Sequence, residues 1–152
     1  MKTLANSEDK AALLRRLAVV GRDAPRAWGK MTAPQMICHL SDSYRVISGE
    51  KSASSVANAF TRTFVKWVAL SLPVPWPHGT KTMPEVDQLA GGTPPADFEA
   101  DLRELIALTE RFANKPAFLA TARHPLFGKM SLDEWMRWAY LHTDHHLRQF
   151  GC

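Results

Sequence analysis

Apolar residues recur along this chain at helical spacing in several separate runs. Leu13, Leu14, Leu17 and Val20 form the first; Ser7 can cap it, Glu8 and Asp9 suit its first turn, and Gly21 stops it. Thr32-Ala33-Pro34-Gln35 reads as a capping box that opens a second helix, running to about Ser48 and ended by Gly49. A third segment, about Ser55 to Leu72, is apolar at Phe60, Phe64, Trp67, Val68 and Leu70, and Pro73, Pro75 and Pro77 terminate it. Residues 73–95 hold six prolines and three glycines, so no helix or strand is expected there, only a long ordered loop. From Pro95 a further helix runs to about Asn114, with Phe98, Leu102, Leu105, Ile106, Leu108 and Phe112 on its inner side. Ser131-Leu132-Asp133-Glu134 is a second capping box and opens a last helix through about Phe150. No alternating run of β-branched residues bounded by turns appears. The pattern predicts an all-α fold, a helix bundle of four longer helices with an extra helical segment and a Pro-rich loop before the third of them.

Composition adds limits. A chain of 152 residues, 45% hydrophobic and 22% charged, fits one globular domain (1–152) with a core that needs no staples. No internal repeat or low-complexity tract is present. The net charge of +4 is mildly basic, but the cations are scattered and no run of like charges appears, so nucleic acid is not an expected partner. Two cysteines, Cys38 and Cys152, make no disulfide framework. The stretch Phe64–Trp76 contains Lys66 and two prolines and is too short to span a bilayer, and Met1–Lys10 lacks a signal-peptide pattern. A cytoplasmic protein without a membrane partner is the expectation.

The last helix carries the candidate chemistry. At about 100° per residue, Trp135, Trp138, His142, His145, His146 and Gln149 share one sector, while Asp144 points away. A face with large aromatics should look inward, and an inward imidazole must find partners for two ring nitrogens. His142 and His146, four apart, are neighbours that suit chelation of one ion; a pair of core histidines bonded to carbonyls or water fits the same spacing. His39 is the one histidine on another predicted helix, and helices packed about 8–10 Å apart let imidazoles from both meet midway. Three protein ligands would leave open positions for water, as catalytic sites do.

Asp42, one turn after His39, is a candidate to orient a ligand, to act as a fourth ligand or to serve as a base, against the alternative of a surface acid. His145 is a candidate donor or substrate contact, with a surface or interface role equally open. His124 is placed near the bundle mouth, His78 in solvent, and Cys38 as a small packed residue.

Trp28, Thr32-Ala33-Pro34-Gln35-Met36-Ile37-Cys38-His39-Leu40 and His142-Thr143-Asp144-His145-His146-Leu147-Arg148-Gln149 resemble the DinB-like superfamily. The ending from His124-Pro125-Leu126-Phe127-Gly128 to Gly151, and the loop Leu72–Pro77, are similar to one branch of it. The resemblance implies a four-helix bundle with a divalent metal, nickel or zinc, held by His39, His142 and His146. It also implies frequent homodimers, and metal-dependent hydrolases and thiol S-transferases as relatives. The Pro-rich loop and the helix before it depart from the better-understood members, which puts transfer of substrate in doubt.

Two functions are therefore expected. One is a metal-dependent enzyme acting on a small-molecule substrate, with water or a low-molecular-weight thiol activated at the ion; the chain shows no obvious catalytic thiol of its own. Trp76, Trp135 and Trp138 would wall its pocket or simply pack. The other is a non-catalytic ligand- or protein-binding module, in which the metal only pins the helices or the domain senses a ligand or partner.

Overall fold

The computed structural model describes residues 1–80 and 82–152. It is mostly helical: α1 Ser7–Ala18, α2 Ala33–Ser48, α3 Lys66–Ser71, α4 Phe98–Ala113 and α5 Leu132–Gln149. Short 3-10 turns lie at Pro84–Val86 and Ala117–Ala120, and a π-helical turn at Thr61–Val65 leads into α3. α2 packs on α4 and α5, α1 packs on α5 and α4, and α3 lies against α5.

The caps explain the boundaries. In α2 the Thr32 side chain accepts from the Gln35 N–H while the Gln35 side chain accepts from the Thr32 N–H; Gly49, at φ +82°, closes the other end. Ser131 and Glu134 do the same for α5. The first helix differs from expectation. Asn6, not Ser7, is its cap, accepting from the Glu8 and Asp9 N–H groups, and the helix ends at Ala18, before Gly21. The fourth begins after Asp97, whose side chain accepts from the Ala100 N–H.

The inward faces of the four longer helices supply a core of Leu13, Leu17, Met36, Ile37, Leu40, Leu105, Phe112, Trp135, Met136 and Leu147. Leu105 is fully buried, and truncating such a side chain to alanine costs about 2–5 kcal/mol.

Two expectations need correction. The third segment is helical from residue 59 to 71, not from Ser55, and its apolar positions face outward: Phe60, Phe64 and Trp67 are 61%, 54% and 54% exposed, with Leu70 buried. Strands do occur: β1 Arg123–His124 pairs antiparallel with β2 Gly128–Lys129. Two-residue strands are too short to show alternation in sequence. The loop 73–95 is largely irregular as expected, apart from the turn at Pro84–Val86. Among the described residues no helix is long and apolar enough to cross a membrane.

Candidate metal centre

Three imidazoles converge between α2 and α5. α2 turns Met36, Ile37 and Leu40 into the core, which carries His39 toward α5. His142 and His146, one turn apart, meet it there. One ligand nitrogen from each lies within 4.8 Å of the others. His39 Nε2 is 3.2 Å from His142 Nε2. Two nitrogens bound to one tetrahedral ion at about 2.0–2.1 Å are themselves ~3.3 Å apart, so this pair is spaced as two ligands would be. His39 and His146 are buried, and His142 alone of the three keeps partial exposure.

Two of the three outer nitrogens are already engaged. His39 Nδ1–H donates to the Val86 carbonyl at 2.7 Å, which leaves its Nε2 as the bare nitrogen. His146 Nδ1–H donates to Gln149 Oε1 at 3.0 Å, and the Gln149 amide donates in turn to the Trp28 carbonyl at 2.8 Å. Each bond sets both the tautomer and the plane of its ring. The close approach of Gln149 needs Gly29: its φ is +78°, and a Cβ there would stand 2.5 Å from Gln149 Nε2.

Electrostatics favour the same state. Burial pushes the pKa of all three histidines below the ordinary imidazole value. For His142 and His146 the neighbouring imidazoles add to that; for His39 the Val86 bond and the Asp42 and Asp87 charges oppose it. Neutral imidazoles keep the lone pairs that a cation requires. The group contains no carboxylate and no thiol.

Asp42 lies outside this group, fully buried, with both oxygens occupied. Thr93 N–H and Lys51 Nζ each donate to Oδ2 at 2.7 Å, Gln88 Nε2 donates to it at 3.2 Å, and Thr93 Oγ1 donates to Oδ1 at 2.7 Å. Burial alone would raise its pKa, but the Lys51 and Thr93 bonds outweigh burial and hold it below the usual carboxylate value. Asp42 thus anchors the loop that presents the Val86 carbonyl to His39.

His145, also outside the group, is half-buried at its mouth. Its ring is 5.2 Å from His146, 5.8 Å from Trp28, 6.2 Å from Trp76 and 6.1 Å from His78. His78 is exposed as expected, yet it stacks on Trp28 at 3.9 Å and 7° and so belongs to the mouth, which its sequence position did not signal. Trp138 stacks on His142 at 5.3 Å and Trp76 at 6.1 Å, forming two walls. Trp135 is fully buried against Phe112, part of the core and not of a pocket. Asp144 points away, paired with Arg16 and Arg148.

His124 serves the hairpin: its Nδ1 accepts from the Leu126 and Phe127 N–H groups, and burial takes its pKa down to about 3. Cys38 is packed beside Asp101, and burial first, then the Asp101 charge, pushes its thiol up to about 12. It is no nucleophile at neutral pH.

Residues 4–151 match the family described as "Protein of unknown function (DUF1569)". Comparison with curated proteins and with solved structures returns no match. The chain belongs to that family.

Proposed function

We propose that this member of the family is a metal-dependent enzyme of the DinB-like type, a four-helix bundle in which His39, His142 and His146 hold one divalent ion, nickel or zinc. The observation that carries the proposal is the trio itself: three neutral imidazoles, two buried and one half-buried, the two buried ones with the outer nitrogen engaged by a protein acceptor and the inner one turned to the common centre. Without an ion His142 Nε2–H can donate to the bare His39 Nε2 across the 3.2 Å gap, and a cation would replace that bond by binding both nitrogens.

A bound ion would lower the pKa of a water or a small thiol at an open position and polarise an electrophilic substrate beside it, which covers hydrolysis and thiol transfer alike. The protein's own groups do the rest. Val86 and Gln149 fix the ring planes. Trp76 and Trp138 wall the His142 side. His145 stands at the mouth, where its imidazole can accept or return a proton at the edge of the site. With no carboxylate among the ligands, the ion's charge would stay uncompensated, which favours an anionic ligand at the open position.

A second reading, a non-catalytic module stabilised by metal, is favoured by the aromatic cover over the trio. The first experiment is elemental analysis of the purified, untagged protein beside a His142→Ala/His146→Ala variant. About one equivalent of transition metal in the wild type, lost in the variant, supports the site. A wild type that stays empty after incubation with zinc and nickel sinks it. Turnover of esters, amides or thiol–electrophile pairs by the loaded protein then separates enzyme from module.

A further inference from the structure

The three imidazoles of the trio are not held alike. His39 and His146 are buried, and each has its outer nitrogen tied to a protein acceptor, the Val86 carbonyl and Gln149 Oε1. His142 is half-buried, and among the described residues no protein group is bonded to its Nδ1. Its ring is held from the sides instead, by Trp138 at 5.3 Å and 29° and by Trp76 at 6.1 Å and 30°.

The two indoles stand on different footings. Trp138, one turn before His142 on α5, is buried and packs edge-on against Tyr44, His124 and Trp135, so it is a fixed wall. Trp76 rides on residues 73–80, an irregular stretch that lines the mouth. Pro73, Pro75 and Pro77 have no N–H, and among the described residues no backbone N–H from Val74 to Thr80 finds a protein acceptor. The stretch is tied down by side chains: Trp76 Nε1–H donates to the Ala69 carbonyl at 2.9 Å, and His78 stacks on Trp28 at 3.9 Å. A segment with so few backbone bonds opens at far lower cost than the helices unfold. Opening it lifts Trp76 off His142 but leaves the Val86 and Gln149 bonds made, because the Val86 turn is anchored separately, through Thr93 to Asp42.

We propose that His142 is the exchangeable ligand of the trio and that the 73–80 strap, through Trp76, controls the exchange. With the strap down, the two indoles keep the His142 ring facing the common centre. With it lifted, His142 turns toward solvent, and a metal ion is taken up or released past it while His39 and His146 stay in place. This rests on the metal reading above. Capture and release share the lifted state, so a looser strap speeds both alike. The affinity stays nearly unchanged, because Trp138 still holds the ring plane. Each aromatic pair removed raises the lifted fraction by roughly two- to tenfold.

The test measures zinc exchange by the full chain: release into an excess of chromogenic chelator, capture by stopped-flow mixing, and Kd by chelator competition. Trp76→Ala removes the pairs with His142 and His145 and the Ala69 bond. It should speed release and capture by about tenfold or more, with Kd within about threefold of wild type. His78→Ala removes only the stacking of an exposed ring and should speed both by about threefold, which serves if Trp76→Ala does not fold. His142→Ala should lose about 10- to 100-fold less affinity than His146→Ala, since His142 lacks the acceptor that strengthens His146. Exchange rates unchanged in both strap variants overturn the proposal and leave the metal reading standing. Faster release with unchanged capture also overturns it, because Trp76 would then only stabilise the loaded state. So does an equal loss of affinity in His142→Ala and His146→Ala. A wild type that binds no zinc at equilibrium ends the metal reading and this proposal together.

Discussion

Replacing Asp42 by asparagine tests the chain of contacts that positions His39. The carboxylate is fully buried and receives donors from Thr93, Lys51 and Gln88. An amide of the same shape keeps its oxygen where Thr93 N–H, Lys51 and Gln88 donate and turns its N–H groups toward Thr93 Oγ1, so those three bonds lose their charged acceptor and the Thr93 hydroxyl must turn to accept. Hydrogen bonds to a charged group contribute about 1.5–3 kcal/mol each, and stripping a buried ion pair of one partner costs about 3–5 kcal/mol. The Lys51 side chain is 21% exposed and can return to water, which places the expected loss near 2–4 kcal/mol. For a chain of this length that is a fall in Tm of roughly 5–15 °C.

The variant should also bind metal more weakly, because the loop from Pro84 to Thr93 carries the carbonyl that orients His39. Competition against a chelator should show a loss of about tenfold, the lower end for removing a group that orients a ligand. pH gives a further check. The Asp42 pKa is depressed in the folded state, so its contribution is fully present above the unfolded value of 3.8 and is lost as pH falls through the folded value. The stability gap between wild type and Asp42→Asn, measured by urea unfolding without metal, should be constant from neutral pH to about pH 5 and shrink below pH 4. A Tm within 2 °C of wild type, or a large Tm loss with unchanged metal affinity, would refute the reasoning: the first denies the anchor, the second its link to His39.

Gln149→Leu removes the acceptor for His146 Nδ1 and the donor to the Trp28 carbonyl; it should weaken metal binding by about 10- to 100-fold, measured by chelator competition, while a change under twofold would show that His146 is oriented otherwise. The metal-free protein should lose stability steeply as pH falls from 6.5 toward 5. His39, His124, His142 and His146 all have depressed values, so the unfolded chain takes up protons that the native state refuses, at up to about 1.4 kcal/mol per pH unit for each histidine. A flat urea-midpoint profile over that range would mean that the imidazoles are not held neutral.

The four longer helices were legible because each carries its own start signal and a periodic apolar face. The α2 and α5 boxes match their expected residues, whereas Asn6 takes the place of Ser7 at the start of α1, its side-chain oxygen accepting from both the Glu8 and Asp9 N–H groups. The third segment misled in extent and in face. Its spacing is helical, but periodicity reports that a stripe exists, not that something covers it. The hairpin left no trace in the hydrophobic pattern, since its fold depends on His124 capping the turn and on Gly128 at φ +67°.

The same distinction governs the site. His142 and His146 are set together by helix geometry alone, and His39 joins them once α2 and α5 pack, so the trio could be assembled from three positions in the sequence. The groups that hold the rings could not. Two of them, the Val86 and Trp28 carbonyls, are backbone atoms that any residue would supply, and what brings them in is chain path: a loop anchored by Asp42 and a turn opened by Gly29. Asp42 was singled out for the chemistry of its carboxylate, yet its bonds run to Thr93, Lys51 and Gln88 and reach the trio only through Val86. Residues 73–95 therefore do more than connect helices. Trp76 walls His142, His78 stacks on Trp28 at the mouth, Val86 orients His39 and Thr93 locks the loop down. The segment with the least regular structure thus orients one ligand and lines the mouth, as expected when the helices set the ligands and a loop sets access to them.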